Sequence, residues 1–202
     1  MASQAKPGLQ GNSAFHGIQA VSHPHPEGGK PGLVIEEVAF QGKLNLRCDG
    51  AFHKAVTKIV GFDTNAASNR MNKAGERYAV WLGPDEVMLL VEAGAEAALA
   101  QQINDAGSST HMAVTDITDA MTCLKLSGDS IRAVLAKGCA LDLHKDHFKA
   151  GDVAQTILSH AGVTLICCAD DSWLVLCRTS FTDYVVSYLA DTALDCGCQV
   201  KA

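Results

Sequence analysis

Regular alternation of apolar and polar residues begins only at Leu33. From there "LVIEEVAF" (33–40) and "GKLNLRC" (42–48) read as strands, with Leu44, Leu46 and Cys48 sharing one face. "AFHKAVTKIVG" (51–61) has apolar residues at helical spacing, with Asp49 placed to cap its start and Gly61 to stop it. The polar stretch "TNAASNRMNKAGE" (64–76) reads as a loop. In "RYAVWLGPDEVMLLVEAG" (77–94), two apolar arms flank Gly-Pro-Asp-Glu, and Pro84 presets the φ angle of a tight turn, which predicts a β-hairpin. "AEAALAQQINDAG" (95–107) then reads as a helix that ends at Gly107.

The same order returns further along. "LNLRCD" (44–49) aligns with "LKLSGD" (124–129) at an offset of 80, with Leu, Leu and Asp in register. A helix follows in "SIRAVLAKG" (130–138), then a hairpin in "GVTLICCADDSWLVLCR" (162–178) turning at Ala169–Ser172, then a helix in "FTDYVVSYLADTAL" (181–194). The pattern predicts an α+β fold of two β-α-β-β-α units, 44–106 and 124–194. Tight hairpins join only antiparallel strands, so the sheets should be mostly antiparallel and packed against helices. One domain is expected over 33–202, with half-units at about 38–118 and 119–195. Residues 1–32 hold four of the five prolines and six of the 18 glycines. They read as an arm, either disordered or laid along a partner.

Composition sharpens this picture. Charged residues are 19% of the chain, below the usual ~25%. Interface cores are depleted in charge, so a protein partner is expected. A net charge of −6 excludes non-specific nucleic-acid binding, which needs a basic surface. No apolar run reaches the ~18–20 residues of a membrane span, and "MASQAKPGLQGNSAFHG" (1–17) has no signal-peptide core, so the chain is expected in the cytoplasm. The eight cysteines form no C-x-x-C and read as buried thiols of a reducing compartment.

Several stretches carry groups capable of chemistry. "KGCALDLHKDHF" (137–148) gathers Cys139, Asp142, His144, Asp146 and His147, but their spacing is ragged for a zinc site. Leu141, Leu143 and Phe148 read as anchors that tie this extended loop to the core. Cys196 with Cys198, and His23 with His25, are weaker metal candidates. Asp129 or Ser130 reads as an ordinary helix cap. Asp85 with Glu86, and Asp170 with Asp171, read as solvated turns. "GSST" (107–110) lacks the strand–nucleophile–helix context of a hydrolase, and no phosphate-binding glycine loop is present. No catalytic, cofactor-binding or metal residue is assigned.

Four stretches together resemble one family: "VWLGPDEVMLL" (80–90), "VTDITDAMTCLKLSG" (114–128), "VLAKGCALDLHKDHF" (134–148) and "CRTSFTDYVVSYLAD" (177–191). Their content and order are similar to the sarcosine oxidase gamma subunit, over roughly Val38 to Leu194. Departures are Ala140, where proline is expected, and the Cys167–Cys168 pair. The resemblance implies a cofactor-free chain of aminomethyltransferase-like fold within a heterotetramer of alpha, beta, gamma and delta subunits. That complex oxidatively demethylates sarcosine, with FAD, FMN, NAD and tetrahydrofolate on the larger subunits and zinc on delta. An alternative is the corresponding small subunit of a related N-methyl amino acid dehydrogenase, for instance one acting on N-methylglutamate. A stand-alone folate-binding protein is the remoter alternative. "KGC" also resembles the Lys-Gly-Cys-Tyr signature of folate-dependent iron–sulfur assembly proteins, but the aromatic residue and the Gln-Glu pair that complete it are missing.

Overall fold

The computed structural model describes residues 11–48, 50–107 and 112–201. The described chain opens with two short strands, β1 (Val21–His23) and β2 (Leu33–Glu37). The first unit is β3 (Gly42–Cys48), α1 (Gly50–Val60), β4 (Met71–Ala74), β5 (Arg77–Gly83), β6 (Glu86–Val91) and α2 (Glu96–Ala106), followed by β7 (Met112–Asp116). The second is β8 (Met121–Ser127), α3 (Ile131–Ala136), β9 (Val153–Leu158), β10 (Ala161–Ala169), β11 (Ser172–Arg178) and α4 (Thr182–Thr192), and β12 (Cys198–Lys201) closes the described chain. Each unit is therefore the expected β-α-β-β-α series with one strand, β4 or β9, added before its hairpin.

A five-stranded sheet runs β4-β5-β6-β3-β7, and a seven-stranded sheet runs β1-β12-β2-β8-β11-β10-β9. All pairs are antiparallel except β12 with β2. The repeat holds at the level of register. Leu44 pairs with Leu89 and Leu46 with Val87, while Leu124 pairs with Val175 and Leu126 with Trp173. The two units exchange neighbours across the middle of the chain: β2 precedes the first unit yet pairs with β8 of the second.

Alternation along the strands sorts side chains into three clusters. Leu44, Leu46, Val87, Leu89 and Val91 pack beneath α1 and α2 with Phe52, Val56, Leu99 and Ile103. Leu124, Leu126, Trp173, Val175 and Cys177 do the same beneath α3 and α4. Tyr78, Val80, Met88 and Leu90 meet Cys123, Ile166, Leu174 and Leu176 between the sheets. The molecule is thus a helix–sheet–sheet–helix sandwich. Strands buried on both faces need no polar side, so β6, β10 and β11 read as largely apolar runs. Each fully buried Leu or Val contributes about 1.5–3 kcal/mol of transfer free energy.

Gly61, at φ +83°, ends α1 in a conformation that disfavours a side chain. The proposed cap Asp49 and most of "GSST" lie outside the described residues. In the N-terminal stretch 1–32, residues 11–32 rest on the chain's own larger sheet. Phe15 is buried in the second unit's core, the Ala14 and Phe15 N–H groups donate to the Glu37 carboxylate, and β1 pairs with β12.

Candidate functional site

The segment 137–150 takes the place of further helix after α3. Lys137 Nζ donates to Thr192 O and to Asp195 Oδ1, both at 2.7 Å, placing a cation on the C-terminal carbonyls of α4. A side chain on Gly138 would run into the Tyr188 ring, and the Gly138 carbonyl accepts from Ser159 N at 2.8 Å. Cys139 is buried, with Sγ 3.7 Å from Thr156 Oγ1. All three residues of Lys-Gly-Cys hold α3, α4 and the β9–β10 turn together.

Beyond them the loop is tied down by Arg132. Its Nη1 donates to Leu143 O at 2.6 Å and Phe148 O at 2.8 Å, and Nη2 pairs with Asp170 at 2.7 Å. The guanidinium lies 5.0 Å from the Trp173 ring centre, and Phe148 stacks on the same ring at 5.2 Å. Leu143 and Phe148 anchor the loop as expected, whereas Leu141 faces outward, 38% exposed. Asp142, His144, Asp146 and His147 are exposed. His144 Nδ1 stands 3.4 Å from Asp146 and His147 Nε2 3.8 Å from Asp142, and the two imidazole centres are 6.3 Å apart. Among the described residues no three His, Cys, Asp or Glu side chains form a group that could hold a metal.

The remaining candidates are dispersed. Cys198 is buried within β12, while the Cys196 thiol donates to Ala193 O at 3.4 Å. His23 sits in β1, and His25 Nδ1 accepts from Glu27 N at 3.1 Å. Ser130 occupies the N-cap position of α3, but its hydroxyl donates to Asp129 Oδ1 at 2.9 Å and caps no helical N–H. This corrects the expected cap: two polar neighbours satisfy each other first. Glu86 is engaged with Asn45 and Arg47 of β3 at 2.7 and 2.8 Å rather than solvated.

Sequence reasoning missed Lys43, which is 3% exposed between the two units. Its Nζ donates to Gln41 O at 2.7 Å and to Thr118 O at 3.4 Å, and its N–H donates to Thr118 Oγ1 at 2.9 Å. Burial pulls its pKa below the ordinary 10.5, and Glu37, Asp119 and Asp116 oppose that shift. The lysine fastens the β2–β3 turn to the segment joining the units, beside a 550 Å³ cleft lined by Glu37, Phe40, Glu96, Asp119 and Met121. The available signal was its place on β3: Lys43 alternates with Leu44 and so faces the other sheet. Arg132 had a signal too, as the single charge in the apolar helix "IRAVLA".

These groups are struts and surface charges, and among the described residues no nucleophile, base and orienting group converge. Comparison with known proteins agrees with that architecture. The family model described as "Sarcosine oxidase, gamma subunit family" matches residues 46–195. The sarcosine oxidase subunit gamma of Corynebacterium sp. (strain U-96) is 32% identical over 166 residues, covering 81% of this chain and 80% of that one. Its counterpart from Arthrobacter sp. is 30% identical over 186 residues, covering 91% and 89%. A chain of the heterotetrameric sarcosine oxidase from Corynebacterium sp. U-96 superposes with a TM-score of 0.76 at 30% identity, over 83% of this chain and 87% of that chain. The aminomethyltransferase T of Bartonella henselae shares the fold, with a TM-score of 0.62 at 12% identity, over 93% of this chain and 56% of that one. The chain belongs to the sarcosine oxidase gamma subunit family.

Proposed function

We propose that this chain is the structural gamma subunit of a heterotetrameric sarcosine oxidase-type complex, with alpha, beta and delta subunits as its partners. The observation that carries this reading is the match in sequence and fold, over more than four fifths of both chains, to a chain of such a complex. In it the chain supplies no catalytic, cofactor or metal residue; its Lys-Gly-Cys loop and Arg132 are committed to packing. Flavin, nicotinamide and folate chemistry and the zinc site then belong to the partner subunits, and sarcosine is the substrate of the complex. Among the described residues no helix is long and apolar enough to cross a membrane. Buried thiols such as Cys123, Cys177 and Cys198 suit the reducing cytoplasm, where we place the complex.

The test is a gentle purification of the tagged chain from its native host, recording native mass and absorption spectrum. A flavin-coloured assembly several times the mass of this chain that oxidises sarcosine is the expected result. A colourless monomer would overturn the reading. A coloured assembly that acts on N-methylglutamate and ignores sarcosine would replace the substrate.

A further inference from the structure

Exposed apolar side chains are not spread evenly over the molecule. Among the described residues, four of the six large ones, Ile157 (61% exposed), Phe40 (55%), Phe181 (40%) and Tyr184 (37%), gather at one end of the seven-stranded sheet. This is the end where β9 and β11 finish and β8 and β10 begin. The register explains why Ile157 is uncovered. Met121 pairs with Arg178, and Ile157 pairs with Gly162. Gly162 lies one step beyond the Val163–Cys177 pair and so stands next to Arg178. These four form one row across the sheet, on the face that packs against the smaller sheet through Ile166, Leu174 and Leu176. Cover stops one row short: Gln155 Nε2 donates to Leu82 O at the tip of the β5–β6 hairpin, at 2.7 Å. Ile157 lies past that tip.

The uncovered row has a definite shape and charge. A side chain added at Gly162 would meet nothing within 4 Å, which leaves a trough between Ile157 and Arg178, part of a 250 Å³ hollow floored by Leu176 and Thr164. Arg178 is exposed, and its side chain makes no hydrogen bond or ion pair with the described residues. Phe40, on the same side through its shared cleft with Met121 and Thr179, holds φ at +56°. That backbone is costly for a bulky residue, yet it presents an exposed ring.

We infer that this sheet end, centred on Ile157, Gly162 and Arg178, is the docking surface for a neighbouring subunit of the complex. The occupant is a projecting protein segment that lays an apolar side chain in the trough and a carboxylate on Arg178. An apolar surround with one unmatched cation selects such a partner, because a buried arginine must be neutralised. A second copy of this chain fits poorly: a two-fold contact centred here would bring Arg178 against Arg178. The inference rests on the proposed membership of a heteromeric complex.

The test is co-expression of the tagged chain with its partner subunits and measurement of partner protein recovered per tagged chain. Ile157→Asp, Arg178→Glu and Gly162→Trp all alter exposed positions, so each variant chain should stay soluble and folded, as checked by circular dichroism. Each is expected to reduce partner recovery by about tenfold or more, the scale of an interface hot spot. Leu194→Asp, at an exposed apolar position beyond the other end of α4, is expected to leave recovery unchanged. Normal recovery with all three variants would overturn this surface while leaving the gamma-subunit reading intact. Failure of the unsubstituted chain to recover any partner would overturn both. Variants that break self-association of the chain but not recovery of its partners would assign the surface to a second copy, contrary to the inference.

Discussion

The two units share a strand order but cover their sheets differently. In the first, α1 spans eleven residues and lays Phe52, Val56 and Val60 over Leu44, Leu46 and Val87. In the second, α3 stops after six residues, which removes about 7–8 Å of cover at 1.5 Å per residue. The gap is filled from below and from the side. Trp173 stands where the first unit has Val87, since each pairs with the second leucine of the repeated strand, and Phe148 and Arg132 close over it. The loop that looks most reactive in the sequence is therefore the second unit's substitute for helix. The comparison teaches that a cluster of His, Asp and Cys can mark a packing solution in which only the apolar and cationic members are committed inward.

Truncating the paired positions should expose the difference most strongly. Trp173→Ala is expected to cost about 3–5 kcal/mol, and Val87→Ala about 2 kcal/mol, measured by chemical denaturation. Equal costs would mean that the second unit's loop carries no special share of the packing. Arg132→Ala leaves two carbonyls and the Trp173 face without their partner, with an expected loss of about 2–4 kcal/mol. Arg132→Lys should recover little of it, because an ammonium cannot span both carbonyls and stack.

The second unit should also answer to alkaline pH. Burial pushes the Cys123 thiol up to about 12, and Cys167, Cys177 and Cys198 to about 11, from an ordinary value of 9.0. The unfolded chain then releases these protons first, so their contribution is complete below pH 9 and is lost as pH rises through 11 to 12. Unfolding free energy measured in reductant should fall steadily above pH 9, and Cys123→Ala should flatten that fall. A flat profile for the unsubstituted chain would contradict the burial of these thiols. A smaller effect is expected for Gly138→Ala, about 1–3 kcal/mol, because the new methyl displaces the Tyr188 ring.

Much of this fold was legible in the sequence. The four helices, both hairpins and the repeat at offset 80 all rest on long apolar patterns with glycine or proline punctuation. The strands that were missed, β1, β4, β7, β9 and β12, are short or lie at sheet edges, where one side of the strand is solvated and period-2 alternation fades. β2 was read as a strand, but its pairing with β8 is a long-range choice that no local pattern encodes. In the loop, Phe148 and Leu143 were legible as anchors because apolar residues in a polar segment have few other uses. Leu141 followed the same rule and proved exposed. Arg132 and Lys43 each left a signal, a lone charge in an apolar helix and an alternate position on β3, but their roles were not legible, because these depend on the Leu143, Phe148 and Thr118 carbonyls brought in from other segments.

The most direct measurement of the central claim removes the reactive-looking groups and keeps the packing ones. In the assembled complex, Asp142→Asn, His144→Ala and His147→Ala are combined, and sarcosine turnover is measured per intact heterotetramer. Unchanged kcat and KM are expected, with stability within about 0.5 kcal/mol of the unsubstituted chain, as for exposed positions generally. A fall in kcat in a complex that still assembles would contradict the account, and would place chemistry in a loop here assigned to architecture.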